Sequence, residues 1–366
     1  MTGPVFPVLG DDRMRRLLEP PAGPVRLAID TDAHNEIDDQ FTLAWALLSP
    51  DAFEIEAVLA EPYSFAHHRE GLLAAYEEIR RDQSSSSSEV QVEPTGGYRR
   101  WAHNLIEAGT DPYSVDFVGP DQGMELSYQE ILKVYELLDA DPAGLVFRGS
   151  AGYLPGPGEP LHTEAAERLV ELAMSDDERP LYVAAIGAVT NIASAILIEP
   201  RIIERMVVVW TSSYPSYSPH SNRPSLNLVQ DLPASRTLFD CGVPHVYLPG
   251  YYIGAQLTIS LPDMERWVKG RGRIGDYLYH LYTHNPIHRQ RGIVDQADRT
   301  WVIWDLITLA WLMEPEWVPS MLTRSPVLHD DLFWGHPPER HLMREGIGID
   351  RDEVFRDFYR KLELAP

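Results

Sequence analysis

Apolar positions in this chain come in blocks that stop at charged or turn-forming residues. Val25-Arg26-Leu27-Ala28-Ile29 is a short, mainly apolar run that ends at Asp30-Thr31-Asp32. This predicts a buried strand finishing at a charged edge. After a polar loop, Phe41 to Leu48 is apolar and long enough for a helix. Asp38 and Asp39 fall at that helix's N-terminus, where negative charge is favoured. Phe53 to Ala60 predicts a second strand and Gly71 to Arg81 a helix. Further strands are expected at 145–149, 181–187, 206–210 and 245–248, and helices at 127–138, 163–173, 192–198 and 231–240. Strand alternating with helix predicts an α/β fold: a mostly parallel central sheet with helices on both faces.

The same pattern sets the outer limits. Residues 1–24 are rich in proline and charge and read as an irregular N-terminal arm without a signal-peptide core. Residues 25–366 show no repeat and no clear linker, which predicts one domain. Ser84 to Ser88 is a low-complexity run that reads as a mobile loop, with no chemistry in it to support a lid. Residues 263–300 carry several helix patterns, and Trp301 to Met313 reads as an apolar helix interrupted by Asp305.

Charge narrows the partners. With 31 basic and 55 acidic residues, the chain of 366 carries a formal charge of -24. That argues against nucleic acid or an anionic membrane surface. No apolar run is long enough to span a bilayer. Cys241 is the single cysteine, so no internal disulfide forms. With the composition of the first residues, this leads us to expect a cytoplasmic protein.

One stretch concentrates the chemistry. Between residues 30 and 39 stand Asp30, Asp32, Glu36, Asp38 and Asp39. Carboxylates this close repel one another unless a cation or protons neutralise them. Oxygen-only ligands suit a hard cation such as calcium or magnesium. Taken alone, the stretch fits a metal site and a solvated, helix-capping acidic loop equally well.

Three further stretches, in order, bring a resemblance. Gly187-Ala188-Val189-Thr190-Asn191 precedes Glu199-Pro200, Ser225-Leu226-Asn227 leads to Asp231, and Trp304-Asp305-Leu306 precedes Glu314-Pro315. With Asp30-Thr31-Asp32 and Asp38-Asp39, these resemble the motifs of the nucleoside hydrolase family, the inosine-uridine-preferring N-ribohydrolases. The resemblance spans about residues 25 to 330. It implies an active site at the carboxyl ends of the strands and a bound calcium ion. The implied ligands are Asp32, Asp39, the backbone carbonyl of Thr190, and Asp305. It also implies that Asp32 acts as general base on water, that Asp38 contacts ribose hydroxyls and that Asn227 contacts the sugar. Asp30 is expected to support the ligand shell. A homo-oligomer is expected by resemblance only. The implied reaction, calcium-dependent hydrolysis of an N-glycosidic bond in a riboside, passes through a cationic sugar ring that nearby carboxylates stabilise.

The sequence departs from that pattern in ways that bear on the substrate. The loop between Asp32 and Asp38 is two residues longer than the family's, and Asn35 and Glu36 within it are read mainly as helix caps. Trp304 replaces a histidine that assists the leaving base in purine-cleaving members, so it would stack on a base or pack in the core. His34, His67, His284 and His288 are candidate replacement acids, each with a structural role as the simpler reading. Ser225 replaces the glutamate of a glutamate–asparagine pair. The metal-and-ribose half therefore reads as kept and the leaving-group half as altered. The alternative function is a metal- and ribose-binding protein with little or no catalysis.

Overall fold

All seven residues of Val25–Thr31 are buried, and this strand, β1, is the one from which the sheet grows in both directions. The computed structural model describes residues 5–84, 96–293 and 300–366. On one side of β1 lie β2 (Phe53–Ala60) and then β3 (Val146–Arg148). On the other lie β4 (Leu181–Ala185), β5 (Met206–Ser212) and β6 (His245–Pro249). All of these run parallel. Leu342–Gly346 adds a parallel strand beside β6, and Ser320–Arg324 closes that edge antiparallel, completing eight strands. The α/β architecture is as expected.

Strands buried on both faces read as continuous apolar runs because each face has its own core. In β1, Leu27 and Ile29 point into one core, against Phe41 and Trp45 of α2 (Asp38–Leu47) and the helix Leu306–Met313. Ala28 points into the other, with Leu169, Ile192 and Leu238 from three helices on the opposite face. Val207 and Val209 of β5 face the first core, and Val208 and Trp210 the second. The two-residue period of the strand decides each assignment.

The connections leave β1 and β4 as neighbours although they are far apart in sequence. The chain leaves β1 towards β2 on one side and leaves β4 towards β5 on the other. That reversal is a topological switch point, where a crevice opens beyond the carboxyl ends of the strands. Asp30 of β1 pairs with Ala185 of β4 at that end.

Two expectations are corrected. The supposedly irregular arm contains the helix α1 (Asp11–Leu17), which buries Met14, with Leu18 just beyond it also buried. Arg344 Nε donates to the Leu18 carbonyl at 2.6 Å, tying this segment to the sheet. The apolar stretch 301–313 is not one helix interrupted by Asp305. Thr300–Val302 is a strand paired with Thr258–Ser260, and the helix starts only at Leu306. Of the serine run, Ser85 to Ser88 lie outside the described residues. No helix among the described residues is long and apolar enough to cross a membrane.

Candidate metal and sugar site

A cavity of about 130 Å³ opens at the switch point between β1 and β4. Four aspartates line it, and they come from three places in the sequence: Asp32 just past β1, Asp38 and Asp39 in the first turn of α2, and Asp305 just before the helix Leu306–Met313. Each is at most 4% exposed. Asp305 occupies the capping position of its helix but makes no capping bond, so its carboxylate is left for the cavity. No lysine or arginine is among the described residues lining the cavity.

Burial dominates the electrostatics. It pushes the Asp32, Asp38 and Asp305 carboxyls well above the usual carboxylate range, and their mutual repulsion adds to this. Asp39 is also raised by burial, against the opposing pull of a hydrogen bond from Thr31 Oγ1 at 2.5 Å. After burial, the neighbouring Asp38 carboxylate is the strongest influence raising Asp305. Oxygens of Asp38, Asp39 and Asp305 come within 4.8 Å of one another. Buried oxygen donors with no cationic side chain fit a hard divalent cation, which would replace those protons.

A supporting layer sits behind the aspartates. Gly187 lies so close to Asp32 that a Cβ there would stand 3.0 Å from its carboxylate. Asp30 does not line the cavity; its Oδ1 accepts from Asn191 Nδ2 at 3.0 Å. Glu61, close behind it, has its carboxyl raised by burial and by the Asp30 charge, and among the described residues neither Asp30 Oδ2 nor Glu61 Oε2 has a hydrogen-bond partner. Glu61 Oε1 also accepts from the Asn191 backbone at 2.8 Å.

The sequence-derived site residues distribute as follows. Asp32, Asp38, Asp39, Asp305, Asn227 and Trp304 all line the cavity. Asp38, expected only as a sugar contact, belongs to the tight group with Asp39 and Asp305, whereas Asp32 stands outside that group. Thr190 does not line the cavity; its hydroxyl donates to Asp231 at 2.8 Å, at the start of the helix Thr190–Ile198. Ile186, just before that motif, borders the cavity, and its carbonyl accepts from Asn227 Nδ2 at 3.0 Å. Asn227 Nδ2 also reaches the Thr211 carbonyl at 3.3 Å, so its amide donor is turned to backbone. The long loop does not cap α2, because Ile37 holds the capping position. Asn35 instead donates to Asp32 at 3.1 Å, and both Asn35 and Glu36 line the cavity.

The remaining expected groups lie on the outer side. Trp304 is half-buried and meets Tyr251 edge-on, ring centroids 5.6 Å apart. Ser225 is tied to Ser212 and Ser213. Among the candidate histidines, His34 bonds Tyr63, His284 stacks on His280 and His288 packs on Trp301. His67 lines the cavity outside the aspartates. Asp231 and Glu61 were not singled out from the sequence. Each is an acid just beyond an apolar or loop segment whose partner, Thr190 or Asp30, becomes visible only in three dimensions.

No protein-family model matches the chain, and no curated protein matches it. Solved structures do. An inosine-guanosine nucleoside hydrolase superposes with a TM-score of 0.61 at 16% identity, covering 93% of this chain and 99% of its own. The purine-preferring ribonucleoside hydrolase from Gardnerella vaginalis gives 0.59 at 15% identity over 92% and 98%. The inosine-uridine preferring nucleoside hydrolase from Bacillus anthracis gives 0.56 at 14% over 93% and 99%. The fold is nucleoside hydrolase-like.

Proposed function

We propose that this protein hydrolyses the N-glycosidic bond of a riboside and depends on calcium to do so. The carrying observation is the set of four buried aspartates in one cavity without a lysine or arginine beside them. Such a set is stable only with protons or a cation, and it sits where α/β sheets hold ligands.

In this reading Asp39 and Asp305 would hold the ion, with Asp32 and the Ile186 carbonyl, rather than that of Thr190, as further donors lining the same cavity. When bound, calcium would supply the charge that neutralises the cluster and polarises groups bound beside it. Asp38, next to Asp305, accepts a hydrogen bond from a ribose hydroxyl and fixes the sugar ring. Asp32, oriented by Asn35 and closed in by Gly187, takes a proton from a water whose oxygen bonds to the ring carbon as the C–N bond breaks and its electron pair departs with the leaving group. The buried carboxylates stabilise the positive charge that grows on the ring, an effect strengthened by low solvent access. The Asn227 carbonyl oxygen is left to meet the sugar while its amide holds two backbone carbonyls. Trp304 and Tyr251 form the wall against which the leaving group lies. With no histidine at the 304 position, leaving groups that depart with little protonation are favoured.

Asp39→Ala should remove calcium binding and ribose release together, and Asp305→Ala should do the same. Full activity with normal metal content in either variant would overturn the assignment. The second reading, metal and ribose binding without turnover, rests on Trp304 and Ser225. It is favoured if calcium and ribose bind while no riboside is cleaved.

A further inference from the structure

Beyond the aspartate cavity lies a second, wider one of about 410 Å³. The two share Glu36, Pro224, Leu226, Tyr251 and Trp304, so they form one continuous path from the acids outward. Its size is that of a small-molecule pocket. Its character is opposite to that of the inner cavity. Aromatic side chains wall it, namely Phe65, Tyr251, Trp301 and Trp304, and two arginines, Arg223 and Arg291, stand exposed at its rim.

Among the described residues, no carboxylate lies within ion-pair distance of Arg223 or Arg291. Arg291 lies 5.9 Å from the Trp101 ring and exerts a longer-range pull on Glu36. Glu36, at the junction, is the one acid lining the outer cavity. His67 and His68 add no positive charge at neutral pH, since burial lowers both and brings His68 to about 4. The inner cavity is thus acidic and the outer one aromatic with arginines at its mouth.

We infer that the outer cavity selects a flat aromatic leaving group bearing an anionic substituent, with Arg223 and Arg291 as the partners of that anion. This rests on the riboside reading for which end of the substrate points outward. The aromatic walls take the ring faces, and a planar guanidinium matches a carboxylate through two parallel hydrogen bonds. Rim charges also steer an anionic ligand into the mouth, an effect that salt weakens.

The test compares pairs of aromatic bases with and without a carboxylate. Calorimetry would measure binding of nicotinate against nicotinamide and of orotate against uracil to the calcium-loaded protein, followed by ribose release from the four ribosides. The expected result is that each carboxylate ligand binds about tenfold or more tightly than its neutral partner. That ratio should fall towards one in Arg223→Gln and Arg291→Gln and with rising salt. Both positions are exposed, so folding is not at stake. Equal affinity within the pairs, a preference that survives both substitutions, or no binding of any base overturns the inference. Failure of the ribohydrolase reading looks different: a carboxylate preference in binding with no ribose released from any riboside.

Discussion

At the scale of single residues, the behaviour of the site follows from how many protons its carboxylates hold. Without an ion, Asp32, Asp38, Asp39 and Asp305 hold protons at higher pH in the folded chain than in the unfolded one, because burial raises them all. Their contribution to stability is therefore full below the unfolded carboxylate range near pH 4. It is lost as pH rises through the folded values, which for Asp39 means about 7. Calcium-free protein should melt at a lower temperature at pH 8 than at pH 5.5, and added calcium should remove most of that loss. A metal-free melting temperature that rises over this interval would contradict the picture. Binding should also release protons, so calcium affinity should increase from pH 6 to 8. Titrations in buffers of different ionisation enthalpy would reveal that release. Trp304→His tests the outer wall: it should raise activity on purine nucleosides by supplying a proton donor, and no change would mean that the side chain does not face the base. The aspartates were legible as a cluster because charge crowding is visible in one dimension. Ile186 was not, because a backbone carbonyl has no residue signature. The capping role expected for Asn35 and Glu36 gave way because Ile37 takes that place and the longer loop turns both side chains to the cavity.

At the scale of elements, the site is delivered by the ends of strands and the starts of helices. α2 is held by its apolar face: Trp45 and Phe41 are fully buried, and Trp45 Nε1 donates to Asp357 at 2.9 Å. Trp45→Ala should cost about 3–5 kcal/mol of stability, the usual loss for truncating a buried large aromatic. Denaturant unfolding measures it directly, and a loss below about 1 kcal/mol would mean that α2 is not anchored there. Because α2 carries Asp38 and Asp39 at its first turn, the same variant should bind calcium more weakly. The parallel strands and most helices were legible from block patterning. The segment 301–313 was not, since an apolar run is compatible with either a strand or a helix. The strand stops at Val302, and after Ile303 and Trp304 the helix begins at its cap residue Asp305, whose carboxylate lies in the cavity rather than in a capping bond. Likewise α1 was hidden by the prolines around it, although buried Met14 gives it a hold on the core.

At the scale of the whole molecule, the arrangement separates charge. Five acids line the inner cavity, while the outer one has two arginines and a single acid. Between them run Trp304 and Tyr251. This polarity follows the order a riboside would take, sugar inward and leaving group outward. The fold itself is legible in the sequence through the alternation of strand and helix and through the order of the motifs. The outer cavity is not, because its walls come from segments near residues 65, 223, 251, 291 and 301 that share no local pattern. The most direct measurement is the release of free ribose from a panel of ribosides, assayed once with calcium and once after chelation. The account predicts release that requires calcium and is lost in Asp39→Ala. Release that is indifferent to chelation, or no release from any riboside while calcium remains tightly bound, would contradict it.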